Sequence, residues 1–215
     1  FDAELTLFGE QQARSLGKQE ADALMQAQLV VCSPLSRAVQ TATWMYATAL
    51  EQAGVSARAP PIELVDLCRE KLGTNPCDRR RTIAEIRAMH GGALERTFRR
   101  VSDEECSSGE GDAPWDAYGP AKREDAGSIL KRANLFLDWL FCRPEFCITV
   151  VTHSAFLHHG IGPALHQARQ TVFSDAQLHH SQDDYARRWY ENCELRSVSL
   201  LRITPAAAHA EPAQN

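Results

Sequence analysis

The sequence predicts an α/β fold: a three-layer sandwich with a mostly parallel sheet and helices on both of its faces. Three observations lead there. Short, largely apolar runs of strand length recur at Leu29–Cys32 ("LVVC"), Ile62–Val65 ("IELV") and Cys147–Val151 ("CITVV"). Stretches with apolar residues at helical spacing lie between these runs, so strand and helix alternate as they do in parallel sheets with helical crossovers. At 215 residues the chain is long enough to bury one real core.

Taken in order, Thr6 is placed to cap a first helix that carries Ala13, Leu16, Ala21, Leu24 and Met25 on its apolar side. Leu29–Cys32 follows as a buried strand. Ser33-Pro34 then reads as an N-cap with proline in the first helical position, opening a helix that turns Leu35, Ala38, Val39, Ala42, Met45, Ala49 and Leu50 inward. "GVSARAPP" breaks the chain before the strand at Ile62–Val65. Residues 66–81 read as a loop, and Thr82 caps a short helix through Met89. Residues 102–121, rich in Gly, Ser, Pro and acid, are expected to form a surface excursion. From about Arg123 a long amphipathic helix carries Ile129, Leu130, Ala133, Leu137, Leu140 and Phe141. The strand at 147–151 leads into a helix opening near Ser154, and a last strand is expected around Ser197–Ile203. Residues 1–204 read as a single domain and residues 205–215, "PAAAHAEPAQN", as a flexible tail.

Composition narrows the function classes. A formal net charge of −5 lacks the basic footprint of a nucleic-acid binder. The longest apolar helix candidate, "LFLDWLFC", is too short for a membrane span and contains an aspartate. Seven cysteines, odd in number and without C-x-x-C spacing, point to reduced thiols and a cytoplasmic location. His158-His159, His179-His180 and the scattered cysteines lack clean metal-ligand spacing, so neither a metal nor another cofactor is expected.

In a sheet of this class, ligands collect at the carboxyl ends of the strands, where helix N-termini present N–H groups to an anion. Three polar residues fall there. Arg37 lies in the first turn after "VVCSP", where a cation opposes the helix dipole unless an anion is held between them. A bound phosphoryl group would explain it, and so would a neighbouring carboxylate. His153 ends the strand "ITVVT", either as a functional imidazole or as a satisfied strand-end histidine. Glu70 follows "IELV" by a few residues and, alone, reads equally as loop charge. His158 and His159 sit within the next helix and are expected to pack or cap. Arg79, Arg80 and Arg81 form either a basic rim drawing in a charged substrate or a solvated run paired with acids.

These residues sit in four stretches that resemble the histidine phosphatase superfamily, in its phosphoglycerate mutase-like branch. "VVCSPLSRAVQTA" (Val30–Ala42) is similar to that family's Ser-Pro-x-x-Arg-Ala-x-Gln-Thr-Ala run, and "VVTHSAFLHH" (Val150–His159) to its later strand-end histidine segment. "ELTLFGEQQARSLG" (Glu4–Gly17) resembles its Leu-Thr-x-x-Gly-x-x-Gln-Ala helix start, and "LCREKLGTNPCDRRR" (Leu67–Arg81) the acid-bearing loop of a plant, fungal and protist subgroup.

The resemblance implies a phosphoglycerate mutase-like fold and phosphomonoester hydrolysis through a phosphohistidine intermediate. It implies Arg37 as the guanidinium on the transferred phosphoryl group, His153 as the second histidine stabilising its charge, and Glu70 as the acid for the leaving group. Arg37, Ser154, Arg79 and Arg80 would bind a small phosphorylated substrate. A phosphoglycerate-type mutase and a non-catalytic phosphate- or partner-binding relative are the alternatives, and the oligomeric state is open, a homodimer being one option.

The family's nucleophile is a histidine in an Arg-His-Gly motif at the end of a strand preceding the Leu-Thr helix, and no Arg-His-Gly occurs in the 215 residues. "MHGG" (Met89–Gly92) is no substitute, because it follows a helix-like stretch and lacks the arginine. The expectation is therefore a native polypeptide with about 20–40 further residues ahead of Phe1, enough for a strand and its loop. Without them the chain is expected to be inactive or nearly so.

Overall fold

Four parallel strands form the sheet of the computed structural model, which describes residues 1–54, 58–107, 111–172 and 189–200. They are β1 (Leu29–Cys32), β2 (Ile62–Val65), β3 (Val101–Glu105) and β4 (Ile148–Val151), in the spatial order β3-β2-β1-β4. The central strand β1 pairs Val31 with Glu63 on one side and with Val150 on the other. All four β1 residues are buried, as a strand covered on both faces requires.

The period-two alternation of β1 sorts its side chains between two apolar layers. Val30 and Cys32 join Ile62, Leu64 and Val151 in a core shared with α2 (Ala21–Met25), α3 (Ser36–Gln52) and α4 (Ile83–Thr97). Leu29 and Val31 join Val65 on the opposite face, against α6 (Ala126–Phe141), α7 (Ser154–Phe156) and α8 (Gly162–Val172). The result is the three-layer α/β sandwich the sequence predicts.

Capping chemistry sets several helix ends as read from the sequence. Thr6 Oγ1 accepts from the Gly9 N–H at the start of α1 (Leu7–Gln19), and Thr82 forms a capping box with Glu85 at the start of α4. Helix α1 lies against α3 so closely that a Cβ at Gly17 would stand 2.1 Å from the Met45 carbonyl oxygen.

Three expectations are corrected. Helix α3 begins at Ser36 and not at the Ser33-Pro34 pair, because the Ser36 N–H and Oγ–H both donate to Asp2, each at 2.8 Å, so a remote carboxylate supplies the cap. The expected excursion at 102–121 contains the edge strand β3 and the single turn α5 (Ala113–Asp116); β3 has only partial burial, so its sequence lacks an apolar strand signal. Ser197–Leu200 form no strand, and the rest of that expected element, like the expected tail at 205–215, lies outside the described residues. Among the described residues, no helix is long and apolar enough to cross a membrane.

Candidate active site

The parallel registers bring the exits of β1, β2 and β4 to one end of the sheet. Cys32 is level with Val151, so Ser33 and His153 emerge side by side, and the Ser33 N–H donates to the Val151 carbonyl at 2.9 Å. His153 is buried, with Nε2 2.8 Å from Ser33 Oγ. Burial, followed by the charges of Arg37, Arg69 and Arg132, holds its pKa well below the usual imidazole range. Burial and these three guanidinium charges both disfavour protonation of the His153 ring, and the same charges would stabilise an incoming anion.

Glu70 follows β2 through a 3-10 turn at Asp66–Cys68. Its carboxylate accepts from the Lys71 N–H at 2.8 Å. Burial raises its pKa, and the Asp78 charge adds to the rise; the Lys71 and Ala155 amides and the Arg37 guanidinium oppose it. An upward shift of a carboxyl pKa is the direction that suits a general acid. Arg37 contributes to the pKa shifts of both His153 and Glu70, and Glu70 also accepts from the amide of Ala155, two residues beyond His153.

Arg37 occupies the second position of α3, and it is the paired arginine of the two readings offered by the sequence. Nη2 donates to Asp78 Oδ1 and Nη1 to the Cys77 carbonyl, both at 2.8 Å. The pairing uses two of the five guanidinium N–H groups and leaves three for an oxyanion.

The loop carrying Glu70 is fastened from several sides. Arg132 of α6 donates to the carbonyls of Leu67 at 2.9 Å and Arg69 at 2.8 Å, while Thr152 Oγ1 donates to Cys68 O at 2.5 Å. Arg69 is buried in a two-pronged bond to Asp112, with Nη1 2.6 Å from Oδ1 and Nη2 on Oδ2. Gly73 adopts φ +79° against the backbone of Lys122, and a Cβ there would lie 2.1 Å from the Lys122 oxygen.

Comparison with known proteins follows the same outline. Residues 1–60 match the family model of the Histidine phosphatase superfamily (branch 1). Phosphoglycerate mutase-like protein 1 of Arabidopsis thaliana is 31% identical over 222 residues, spanning 94% of this chain and 71% of its own length. A second Arabidopsis thaliana phosphoglycerate mutase-like protein is also 31% identical, over 94% of this chain and 74% of its own. The chain belongs to the histidine phosphatase superfamily, in its phosphoglycerate mutase-like branch.

Among solved structures, this histidine phosphatase superfamily member is similar to the ecdysone phosphate phosphatase of Bombix mori in complex with tungstate. The TM-score is 0.49 and the identity 18%, over 82% of this chain and 61% of that one.

The remaining predicted residues divide. Ser154 is exposed at the first position of α7, beside His153. Arg79 is partly exposed but paired with Asp116 at 3.1 Å. Arg80 is not at a rim: its side chain is fully buried, with Nε 3.2 Å from Asp66 Oδ1 and Nη2 donating to the Ser107 carbonyl at 3.0 Å. The isolated arginine run hid this, since the acids that draw Arg80 inward, Asp66 on its side chain and Asp112 on its backbone N–H, lie distant in sequence. His158 stacks on Trp189 at 4.1 Å between ring centroids. His179-His180 lie outside the described residues.

Sequence reasoning missed Asp78, Asp112, Asp66 and Arg132. Arg132 carried a signal, a cation within the apolar stripe between Ile129 and Ala133. Asp78 carried another, an acid directly before three arginines. Asp112 carried none.

Proposed function

We propose that the length-complete protein is a phosphatase that hydrolyses small phosphomonoesters through a phosphohistidine intermediate. The observation that supports this reading is that Arg37, Glu70 and His153 all lie just past the carboxyl ends of the parallel strands β1, β2 and β4, with Arg37 contributing to the pKa shifts of the other two. The attacking imidazole comes from the Arg-His-Gly segment of the family pattern, which residues 1–215 do not contain.

In the first step the imidazole nitrogen bonds to phosphorus as the ester P–O bond breaks. Glu70 gives its proton to the departing oxygen, while Arg37 and His153 hold the charge spread over the equatorial oxygens. In the second step water attacks phosphorus, the N–P bond breaks, and Glu70 takes up the proton that water loses. Family membership, the buried Glu70 with its raised pKa and the three free donors of Arg37 support this sequence. The relatives' names favour a second reading, phosphoglycerate-type transfer, in which the phosphoryl group passes to a second hydroxyl and not to water.

The test is turnover of p-nitrophenyl phosphate by the length-complete protein, with trapping of radiolabelled phosphate. An acid-labile, base-stable label with phosphate release is expected, and Arg37→Ala should lower kcat/KM by about 10²–10³-fold. Interconversion of phosphoglycerates without net phosphate release would select the mutase reading. Phosphate binding with neither label nor turnover would make the protein a non-catalytic relative.

A further inference from the structure

We infer that Asp78 is the positioning residue for Arg37: it grips one part of the guanidinium and leaves the remainder facing the anion locus beside His153 and Glu70. The inference deepens the phosphatase reading and rests on it for the identity of the anion.

The geometry is that of a clamp fixed at both ends. Asp78 Oδ1 accepts from Arg37 Nη2 at 2.8 Å, and the adjoining Cys77 carbonyl accepts from Nη1 at 2.8 Å. Two neighbouring acceptors on one short turn (Pro76–Asp78) define the guanidinium plane, where a single contact would leave an arginine free to swing. Asp78 is itself held. Its side chain is only 4% exposed, Oδ2 lies 3.1 Å from Arg123 Nη1, and Asn75 Nδ2 donates to Oδ2 at 3.3 Å. The Asp78 carbonyl accepts from Arg69 Nη2 at 2.9 Å, and Arg69 is anchored on the buried Asp112.

The charge balance fits a positioning role. A carboxylate paired with Arg37 alone would cancel the charge an oxyanion needs. Here one carboxylate lies between two guanidinium groups, Arg37 and Arg123, so the trio keeps one net positive charge. Arg123 is fixed in turn by the Gly73 carbonyl at 3.1 Å. Arg37 is thereby oriented without being neutralised.

A double-mutant cycle in the length-complete protein separates this role from that of a loop staple. Asp78→Asn, which keeps size and removes charge, should lower kcat/KM for p-nitrophenyl phosphate by about tenfold where Arg37 is present and by clearly less in an Arg37→Ala background, where only its charge effect on Glu70 is left. Equal losses in both backgrounds would overturn the proposal while leaving the phosphatase reading intact. Should Asp78→Asn fail to fold, Asp78→Glu, which keeps the charge but displaces it, runs through the same cycle with the same expectation. The Arg37 Nε–H resonance of ¹⁵N-labelled protein gives a readout that needs no turnover. It should be a resolved signal in wild type and collapse towards the solvent-averaged position in the variant; an unchanged signal would refute the role of Asp78. Absence of turnover in wild type would refute the phosphatase reading instead, and the resonance would still decide the clamp.

Discussion

His153 Nε2 and Ser33 Oγ stand 2.8 Å apart, joining the exits of β4 and β1 across 120 positions of sequence. The bond follows from the register that sets Cys32 level with Val151, and it holds the imidazole ring at the site through a partner that itself sits on rigid backbone. His153→Ala should lower kcat by about 10²–10³-fold, the usual loss for one preorganised oxyanion-stabilising group. Steady-state kinetics on p-nitrophenyl phosphate check this, and unchanged kcat in a folded variant would remove His153 from the chemistry.

Burial of His153 also gives stability an acid-side dependence. Its pKa is lowered in the folded state by burial first and by three guanidinium groups second, so the unfolded chain binds the proton more readily. Stability should therefore decline as pH falls below the ordinary imidazole value of about 6.5. His90, also lowered chiefly by burial, contributes in the same direction. Urea midpoints measured across this range should fall with pH, and His153→Gln should flatten part of the decline.

Glu70 has the opposite sign. Its folded pKa is raised, chiefly by burial, so the folded state holds the proton more tightly and loses stability as pH rises through the raised value. Glu70→Gln keeps the shape and removes the buried charge, so Tm at neutral and higher pH should increase. Turnover of alkyl phosphates should meanwhile fall by about 10²–10⁴-fold, with a smaller loss on p-nitrophenyl phosphate, whose leaving group needs less protonation. The alkaline limb of the pH–rate profile should vanish in the variant. A persistent limb would assign the acid to another group.

Asp112 anchors the acid-loop scaffold. It receives both prongs of buried Arg69, together with the N–H groups of Arg80 at 2.6 Å and Trp115 at 3.2 Å. Burial pushes its pKa up, but the Arg69 bond and charge and these two amides outweigh burial and hold it below the usual carboxylate range. Asp112→Ala strands a buried guanidinium and should destabilise the fold by about 3–5 kcal/mol. Chemical denaturation measures this, and a loss within the range of a surface substitution would show that Arg69 finds another partner.

Gly17 marks the closest approach of α1 to α3. Gly17→Ala would drive a methyl group into the Met45 carbonyl, a backbone atom that cannot rotate away. The helices must separate, at a cost of about 1–3 kcal/mol. A Tm equal to that of wild type would show that α1 shifts freely on the sheet layer.

What could be read along the chain was whatever depends on near neighbours in sequence. The apolar runs of β1 and β2 announce strands buried on both faces, that of β4 a partly buried one, and Thr6 and Thr82 announce helix starts because a cap acts within three residues. His153 and Arg37 were legible for a related reason, since a strand exit and a helix start are local features. Edge strand β3 was not, because a half-exposed "VSDEE" satisfies its backbone by pairing with β2, which no local pattern records. The same limit hid the charges. Arg80 and Arg79 are neighbours in an arginine run, yet one is buried on Asp66 and the other lies outside on Asp116. Coulombic pairing and desolvation depend on distance in space, so the sorting of the acid loop into a buried Glu70, an Asp78 shared by two arginines and an Arg69 anchored on Asp112 arises only where α6, the exits of the strands and the residues around Asp112 close upon it.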